Sequence, residues 1–265
     1  MKLNFYYEMT LTFDFPIKEQ FFSLKIEPIS DTSQRLYSYE KQILPCDYTC
    51  RELDWCGNVK YSGSSIAPHD FFGFVSTGTV FTTSNPVKSI GDIAVYRYPS
   101  WYTHISDSMV SFLNSIVVEH FNETLDTLQK ATIVMDSLHK YLRYQPLTTS
   151  ICTTASESFN LGVGVCQDYS HIFISLLRYL NVPTRYVSGL MYEDGTVRYG
   201  ATHAWVEVYH DGYWFGYDPT NDCFINEGYI ALAKGRDYND CSVDRGLFKG
   251  NTLQQQYISI SIKEV

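Results

Sequence analysis

Residues 3 to 15 alternate without a break, and this pattern limits the fold more than any other feature of the chain. Leu3, Phe5, Tyr7, Met9, Leu11, Phe13 and Phe15 fall on one side; Asn4, Tyr6, Glu8, Thr10, Thr12 and Asp14 fall on the other. A period of two marks a long strand with one buried and one wet face. A second run sets Phe22, Leu24 and Ile26 against Ser23, Lys25 and Glu27, and Pro28 ends it. Strand-like runs recur near 34–44, 71–82 and 92–98, separated by Gly, Pro, Asn and Ser clusters. Such spacing predicts an antiparallel, sandwich-like all-β domain over residues 1–100. The 22 Tyr and 16 Phe agree, because aromatics suit the half-buried face of a sheet.

After Trp101 the period changes. Met109, Phe112, Leu113, Ile116 and Val117 have helical spacing, with Ser106 or Asp107 as the N-cap. Asn122 is the expected cap of the next helix, whose stripe is Leu125, Leu128, Val134, Leu138, Tyr141 and Leu142, with Pro146 closing it. Thr154 and Glu157 match a capping box, and Gly162 ends that short helix. Helices followed by strands make residues 101–265 an α+β domain.

The chain has 265 residues, 45% of them hydrophobic, and can bury a sizeable core. A net charge of −9 argues against a nucleic-acid partner, which requires a basic face. Polar residues interrupt the first segment at every second position, so it lacks the apolar run of a signal peptide. No stretch reaches the ~18 apolar residues of a membrane helix. The expectation is a cytoplasmic protein, no membrane partner, and seven cysteines that are mostly free thiols.

The segment LGVGVCQDYSHIFISLLRYLNVPTRYVSG begins at Leu161. Gly162 and Gly164 precede Cys166; Ile172, Phe173, Leu176, Leu177 and Leu180 follow at helical spacing; Asn181 and Pro183 stop the helix. Cys166 is thereby placed where a glycine-containing turn enters a buried helix. The unpaired amides and dipole of a helix N-terminus favour a thiolate and can hold an oxyanion. Gly164 leaves room for a substrate backbone. The same segment also fits a small buried cysteine with no chemistry.

The segment ATHAWVEVYHDGYWFGYDPTND begins at Ala201 and reads as a hairpin. His203, Trp205, Glu207 and Tyr209 share one face; Ala204, Val206 and Val208 share the other. Asp211-Gly212 is a favoured type I′ pair, so His210 faces Tyr213 and the register follows. Trp205 then lies opposite Asp218, and His203 opposite Thr220. Asp218 is a diagonal neighbour of His203 at ~7–8 Å, within side-chain reach. Glu207 shares the face but stands ~13 Å along the strand. A slip of one residue would send Asp218 to the wrong side. Taken singly, His203 fits a core histidine and Asp218-Pro219 a turn. Together Cys166, His203 and Asp218 have the chemistry of a triad: a sulfur that attacks, an imidazole that takes its proton, and an acid that fixes the imidazole.

At these residues the chain resembles the transglutaminase-like superfamily of cysteine enzymes. GVCQDYSHIF is similar to the nucleophile helix, THAWVEVY to the histidine strand and GYDPTND to the aspartate segment. GRDYNDCSVDRGLFKG, from Gly235, resembles the tail of bacterial members. The similarity spans about 145 to 265, and the N-terminal part resembles the β-rich region preceding the core in such proteins. The resemblance implies a papain-like core, with the Cys166 helix packed on an antiparallel sheet carrying His203 and Asp218. It implies amide chemistry, since members include transglutaminases, peptidases, amidases and peptide glycanases. Animal transglutaminases carry tryptophan after the nucleophile; Gln167 stands there here, which leans toward hydrolysis. Tyr238 is placed at the rim by resemblance alone.

Substrate-binding candidates are Gly164, Gln167, Trp205 and Tyr238, with Gln145 and Gln167 the candidates for the second oxyanion donor. Trp205 and Trp214 fit core packing equally well. Asp168 reads as a charge at the positive helix end, and His171 as packing. Cys46, Cys50 and Cys56 lack a CxxC pair, so metal binding there stays a minor alternative; Cys223 and Cys241 read as free thiols. Thiol acyl transfer needs no cofactor, and no calcium-loop pattern is present. Three functions are consistent with the chain: a cysteine peptidase or amidase acting on a peptide or amide, a protein-glutamine transamidase, and an inactive peptide-binding or scaffolding domain.

Overall fold

The computed structural model describes residues 1–192, 197–199 and 202–265. In chain order the first strands are β1 (Lys2–Leu24), β2 (Gln34–Leu44), β3 (Tyr48–Leu53), β4 (Val59–Ser65), β5 (His69–Thr82) and β6 (Val87–Lys88). Then come α1 (Asp107–His120), α2 (Thr127–Tyr141), β7 (Arg143–Tyr144), α3 (Ala155–Leu161), β8 (Val163–Gly164) and α4 (Cys166–Tyr179). The chain closes with β9 (Thr184–Met191), β10 (Val197–Tyr199), β11 (His203–His210), β12 (Tyr213–Asp218), β13 (Cys223–Phe224), β14 (Tyr229–Gly235), α5 (Tyr238–Cys241), β15 (Asp244–Lys249) and β16 (Gln254–Glu264).

The alternating N-terminal run is the spine of the first sheet. Between Leu3 and Phe13 it pairs with β16 on one edge, and up to Thr12 with β5 on the other. Leu3, Phe5, Tyr7, Met9 and Phe13 are buried, as the period predicts. The two strands expected here are one strand that bends. The ladder to β5 shifts between Thr12 and Ile17, around Pro16, which has no amide to give it. Phe15 falls in that bend and is 67% exposed, so the alternation ends before it. Beyond the bend β1 pairs with β15 and β4. The eight-stranded sheet therefore joins residues before 100 with 197–199 and 244–264.

Residues 92–98 are not the expected strand. Ala94–Arg97 forms a 3₁₀ turn, because the Asp92 carboxylate accepts the Ala94 amide and Tyr96 is buried edge-on against Trp214. Asn122 does not cap α2. It closes a local turn onto Thr124, and Asp126 with Gln129 forms the capping box instead. Ser106 caps α1, and Thr154 with Glu157 caps α3.

The second sheet is antiparallel, in the order β13-β12-β11-β9-β14, with β6 beside β12. Ile172, Phe173, Leu176 and Leu177 of α4 share a core with Val206, Val208, Tyr217 and Ala233 of this sheet, and α2 and α3 complete it. On the other side Leu190, Ile230 and Leu232 join the core of the first sheet. The second sheet is thus covered on both sides, and each fully buried Leu, Ile or Phe contributes ~1.5–3 kcal/mol. This is the α+β architecture that the sequence predicts, with a nucleophile helix on an antiparallel sheet beside a β-rich layer. Among the described residues no helix is long and apolar enough to cross a membrane.

Candidate active site

Cys166 is the first residue of α4, and two devices fix the backbone that delivers it. The Arg143 and Gln145 amides bond the Gly162 and Gly164 carbonyls (3.1 and 3.0 Å), clamping the segment before the cysteine. The Asp168 carboxylate reaches back to the Val165 amide (2.8 Å) and also accepts from Thr149 (2.7 Å). Burial pushes its pKa up against these bonds, and its second oxygen has no partner among the described residues. Gly164 is there for the carboxyl: a Cβ at this position would lie 2.6 Å from the Asp168 side chain.

His203 opens β11, on the strand that packs beneath α4. Asp211 and Gly212 take φ of 46° and 87°, as a type I′ turn requires, and His210 pairs with Tyr213. The register then runs to Val206 opposite Tyr217, which puts Asp218 on the His203 side. The His203 Nε2 lies 2.7 Å from Asp218 Oδ2. The Cys166 side chain lies near enough to the same imidazole to act on its charge. With Nε2 taken by Asp218, Nδ1 is the ring nitrogen still available.

The electrostatics follow from this geometry. Burial opposes a charge on His203, which is only 7% exposed, but the Asp218 hydrogen bond and the neighbouring Cys166 prevail and raise its pKa to about 9. Asp218 is fully buried, which works to raise its pKa. The bonds from His203, Asn221 and Tyr229 outweigh burial and hold it below the usual carboxylate range. Its Oδ1 accepts the Thr220 and Asn221 amides (3.0 and 3.2 Å), and its Oδ2 accepts the Asn221 side chain (2.7 Å) and the Tyr229 hydroxyl (2.9 Å). Sequence reasoning did not find Tyr229 or Asn221. Asn221 follows Asp218 closely enough to be suspected from the PTND turn, whereas Tyr229 arrives from another strand with no local signal.

Glu207 is engaged elsewhere, with Arg185 (2.5 Å) and Lys234 (2.9 Å). Trp205 is 2% exposed, lies nearly parallel to His203 with ring centres 6.3 Å apart, and meets Tyr229 edge-on. Its ring occupies the space over Gly189, which pairs with His203; a Cβ there would lie 2.4 Å from the indole. Trp214 packs against Tyr96 and bonds Ser89. The Gln167 side chain donates to the Ile151 carbonyl (3.2 Å) and the Gln145 backbone amide to Gly164, while no described hydrogen bond engages the Gln145 side-chain amide. The backbone amides of Cys166 and Gln167 have no acceptor among the described hydrogen bonds, as expected in the first turn of a helix. Tyr238 is half-buried beside Tyr102, and its amide donates to His171 Nε2 (3.1 Å). Burial, reinforced by Arg178, lowers the His171 pKa to about 3, which keeps the ring neutral between Tyr102 and Tyr186. Among the described residues no group of three or more His, Cys, Asp or Glu could hold a metal, the Cys46, Cys50 and Cys56 stretch included.

Comparison with known proteins gives four findings. A model of the transglutaminase-like superfamily matches residues 115–219, which takes in α2, α3, α4 and the hairpin through Asp218. An uncharacterized protein of Mycobacterium leprae is 27% identical over 257 residues, covering 90% of each chain. An uncharacterized protein of Mycobacterium bovis is 33% identical over 133 residues, 46% of this chain and 42% of its own length. Among solved structures, a candidate cysteine protease from Cytophaga hutchinsonii superposes with a TM-score of 0.79 at 21% identity, over 100% of this chain and 91% of that one. The fold shared with that structure extends over the first sheet and the tail from Gly235, both outside the family match. Residues 115–219 are therefore a transglutaminase-like domain, set in a fold that reaches from one end of the chain to the other.

Proposed function

We propose that the chain is a cysteine-dependent enzyme that transfers acyl groups from amide bonds through a thioester, with water as the acceptor. The observation that carries this reading is the imidazole of His203 bonded to the buried Asp218 carboxylate, with the Cys166 side chain near enough to act on its charge. In the first step His203 takes the thiol proton and the Cys166 sulfur attacks the amide carbonyl carbon. The oxyanion is received by the free amides of Cys166 and Gln167. His203 then delivers its proton to the departing amine, and the C–N bond breaks to leave a thioester on Cys166. Water attacks that thioester with His203 taking its proton, and the thiol and a carboxylic acid are released. Asp218 holds the ring's orientation and supports the imidazolium throughout.

The same thioester accepts an amine in place of water, which would make the protein a transamidase. The fold shared with the Cytophaga protein, whose description is that of a candidate cysteine protease, favours hydrolysis. The seven cysteines are free thiols, which is consistent with a reducing, cytoplasmic setting. The test is a peptide and amide library offered to the protein and to its Cys166→Ala form, with and without a primary amine. Cleavage that needs Cys166 supports the reading, and amine exchange without hydrolysis moves it to transamidation. If iodoacetamide at pH 6 labels Cys166 no faster than the other six cysteines and no product forms, the reading fails.

A further inference from the structure

A groove lies beside the segment that receives the Gln167 side chain at the amino end of α4. It has a volume of about 740 Å³ and runs between β15 and a wall made by Tyr102, Ile151 and Tyr238. The wall is fastened to α4. The Ile151 carbonyl takes the side chain of Gln167, next to Cys166, and Tyr102 stacks on His171 of the same helix.

The opposite side is a free sheet edge. Among the described residues β15 pairs only with β1. The Lys25 amide bonds the Val243 carbonyl, so Val243, Arg245 and Leu247 direct their backbone groups at β1. Those of Asp244, Gly246 and Phe248 then point away from β1. The Asp244 carbonyl is taken by the Ser242 hydroxyl, and no described bond uses the Gly246 amide or carbonyl. An unpaired edge offers main-chain hydrogen bonds to an extended chain.

The chemistry of the lining narrows the occupant. Phe21 (57% exposed) and Leu247 (78% exposed) present apolar surface beside the edge. Arg245 also lines the groove; its one described bond is to the Asn239 side chain (2.7 Å), and no carboxylate pairs with it. The Asp244 carboxyl is turned to Gln256 (3.0 Å). An unpaired guanidinium in a chain of net charge −9 leaves a place for an anion supplied by the ligand.

We propose that the substrate is an extended peptide that adds a strand to β15 at Gly246, with apolar side chains against Phe21 and Leu247 and a carboxylate on Arg245. This rests on the function proposed above, and the experiment separates the two. Binding is read by fluorescence anisotropy on the full-length Cys166→Ala protein, which requires no catalysis. The probes are fluorescein-labelled peptides of about ten residues in which every second position is filled in turn by Phe or Leu and by Glu, with Ser between, so that both kinds of side chain share one face, and the same peptides with Gln for Glu. Gly246→Pro removes the outward amide and leaves the β1 ladder intact; it should weaken binding about tenfold. Arg245→Glu should reverse the preference for Glu over Gln peptides, a ratio measured within one folded protein. Equal affinities with and without Gly246→Pro, or an unchanged Glu preference in Arg245→Glu, overturns the groove. Groove-dependent binding by a protein whose wild-type form never cleaves or acylates overturns the enzymatic reading and leaves the groove standing.

Discussion

Three side chains carry the proposed chemistry, and their environments set what each variant should do. Cys166→Ala should abolish turnover, checked by product formation at saturating peptide. His203 is a cation up to a pKa of about 9, so kcat/KM should fall as pH rises through that value. Asp218→Asn removes the strongest support for the cation. It should lower kcat ~100-fold or more and move the alkaline limb to lower pH; a limb that stays in place would mean Asp218 does not govern the ring. Tyr229→Phe deletes one hydrogen bond to Asp218 Oδ2 and nothing of the ring. A bond worth ~1 kcal/mol implies a five- to tenfold loss in kcat with KM unchanged. Equal kcat in Tyr229→Phe would assign the hydroxyl to stability alone. The placement of these three residues was legible in the sequence because it follows local rules: a glycine before a helix for Cys166, and a type I′ turn that counts back to His203 and forward to Asp218. Tyr229 was not legible, because β14 reaches Asp218 only after the chain has crossed the sheet.

At the scale of elements, α4 is held as much by exclusion as by attraction. Gly164 is small because Asp168 fills the space beside it, and Gly189 because the Ile230 carbonyl and the Trp205 ring fill the space beside it. Gly164→Ala and Gly189→Ala should each cost ~1–3 kcal/mol through overpacking, read as a lower urea midpoint. Gly189→Ala should also lower activity beyond its effect on stability, since the displaced indole lies against His203. An alanine tolerated at either position without loss of stability would refute the packing account. The sequence marks Gly164 as a glycine near the cysteine and suggests room for substrate; the fold gives it the task of admitting a carboxyl group. The expected strand at 92–98 fails for a related reason. A run of apolar residues does not reveal that Asp92 will turn the backbone or that Tyr96 will be buried under Trp214.

For the whole molecule, the first sheet and the site are tied by the return of the chain to β1. Deleting residues 254–264 exposes the edge of β1 between Leu3 and Phe13. The truncated protein should lose Cys166-dependent activity together with its cooperative melt, measured by circular dichroism. A truncated protein with wild-type activity would show that the two sheets are energetically independent. Stability should also depend on pH in a defined direction. The His203 pKa is raised from its ordinary 6.5 to about 9, so its contribution is complete below about 6.5 and is lost as pH rises through 9. Asp218 is lowered, so its contribution is present above the ordinary carboxylate range and is lost in acid. Urea unfolding from about pH 2 to 10 checks both limbs, and Asp218→Asn should flatten the alkaline one.

The sequence by itself determined the periods: two along β1 and β11, 3.6 along α4, and the turn that aligns His203 with Asp218. These are short-range facts, set by pleat, helix pitch and backbone dihedrals, and they survive without knowledge of neighbours. Tertiary structure decided that β15 and β16 return to the first strand and leave β15 as an open edge. It also decided that Tyr229 and Asn221 enclose Asp218, and that Gln167 turns to Ile151. Those contacts join residues far apart in the chain, and burial and hydrogen-bond satisfaction across the assembled core select them.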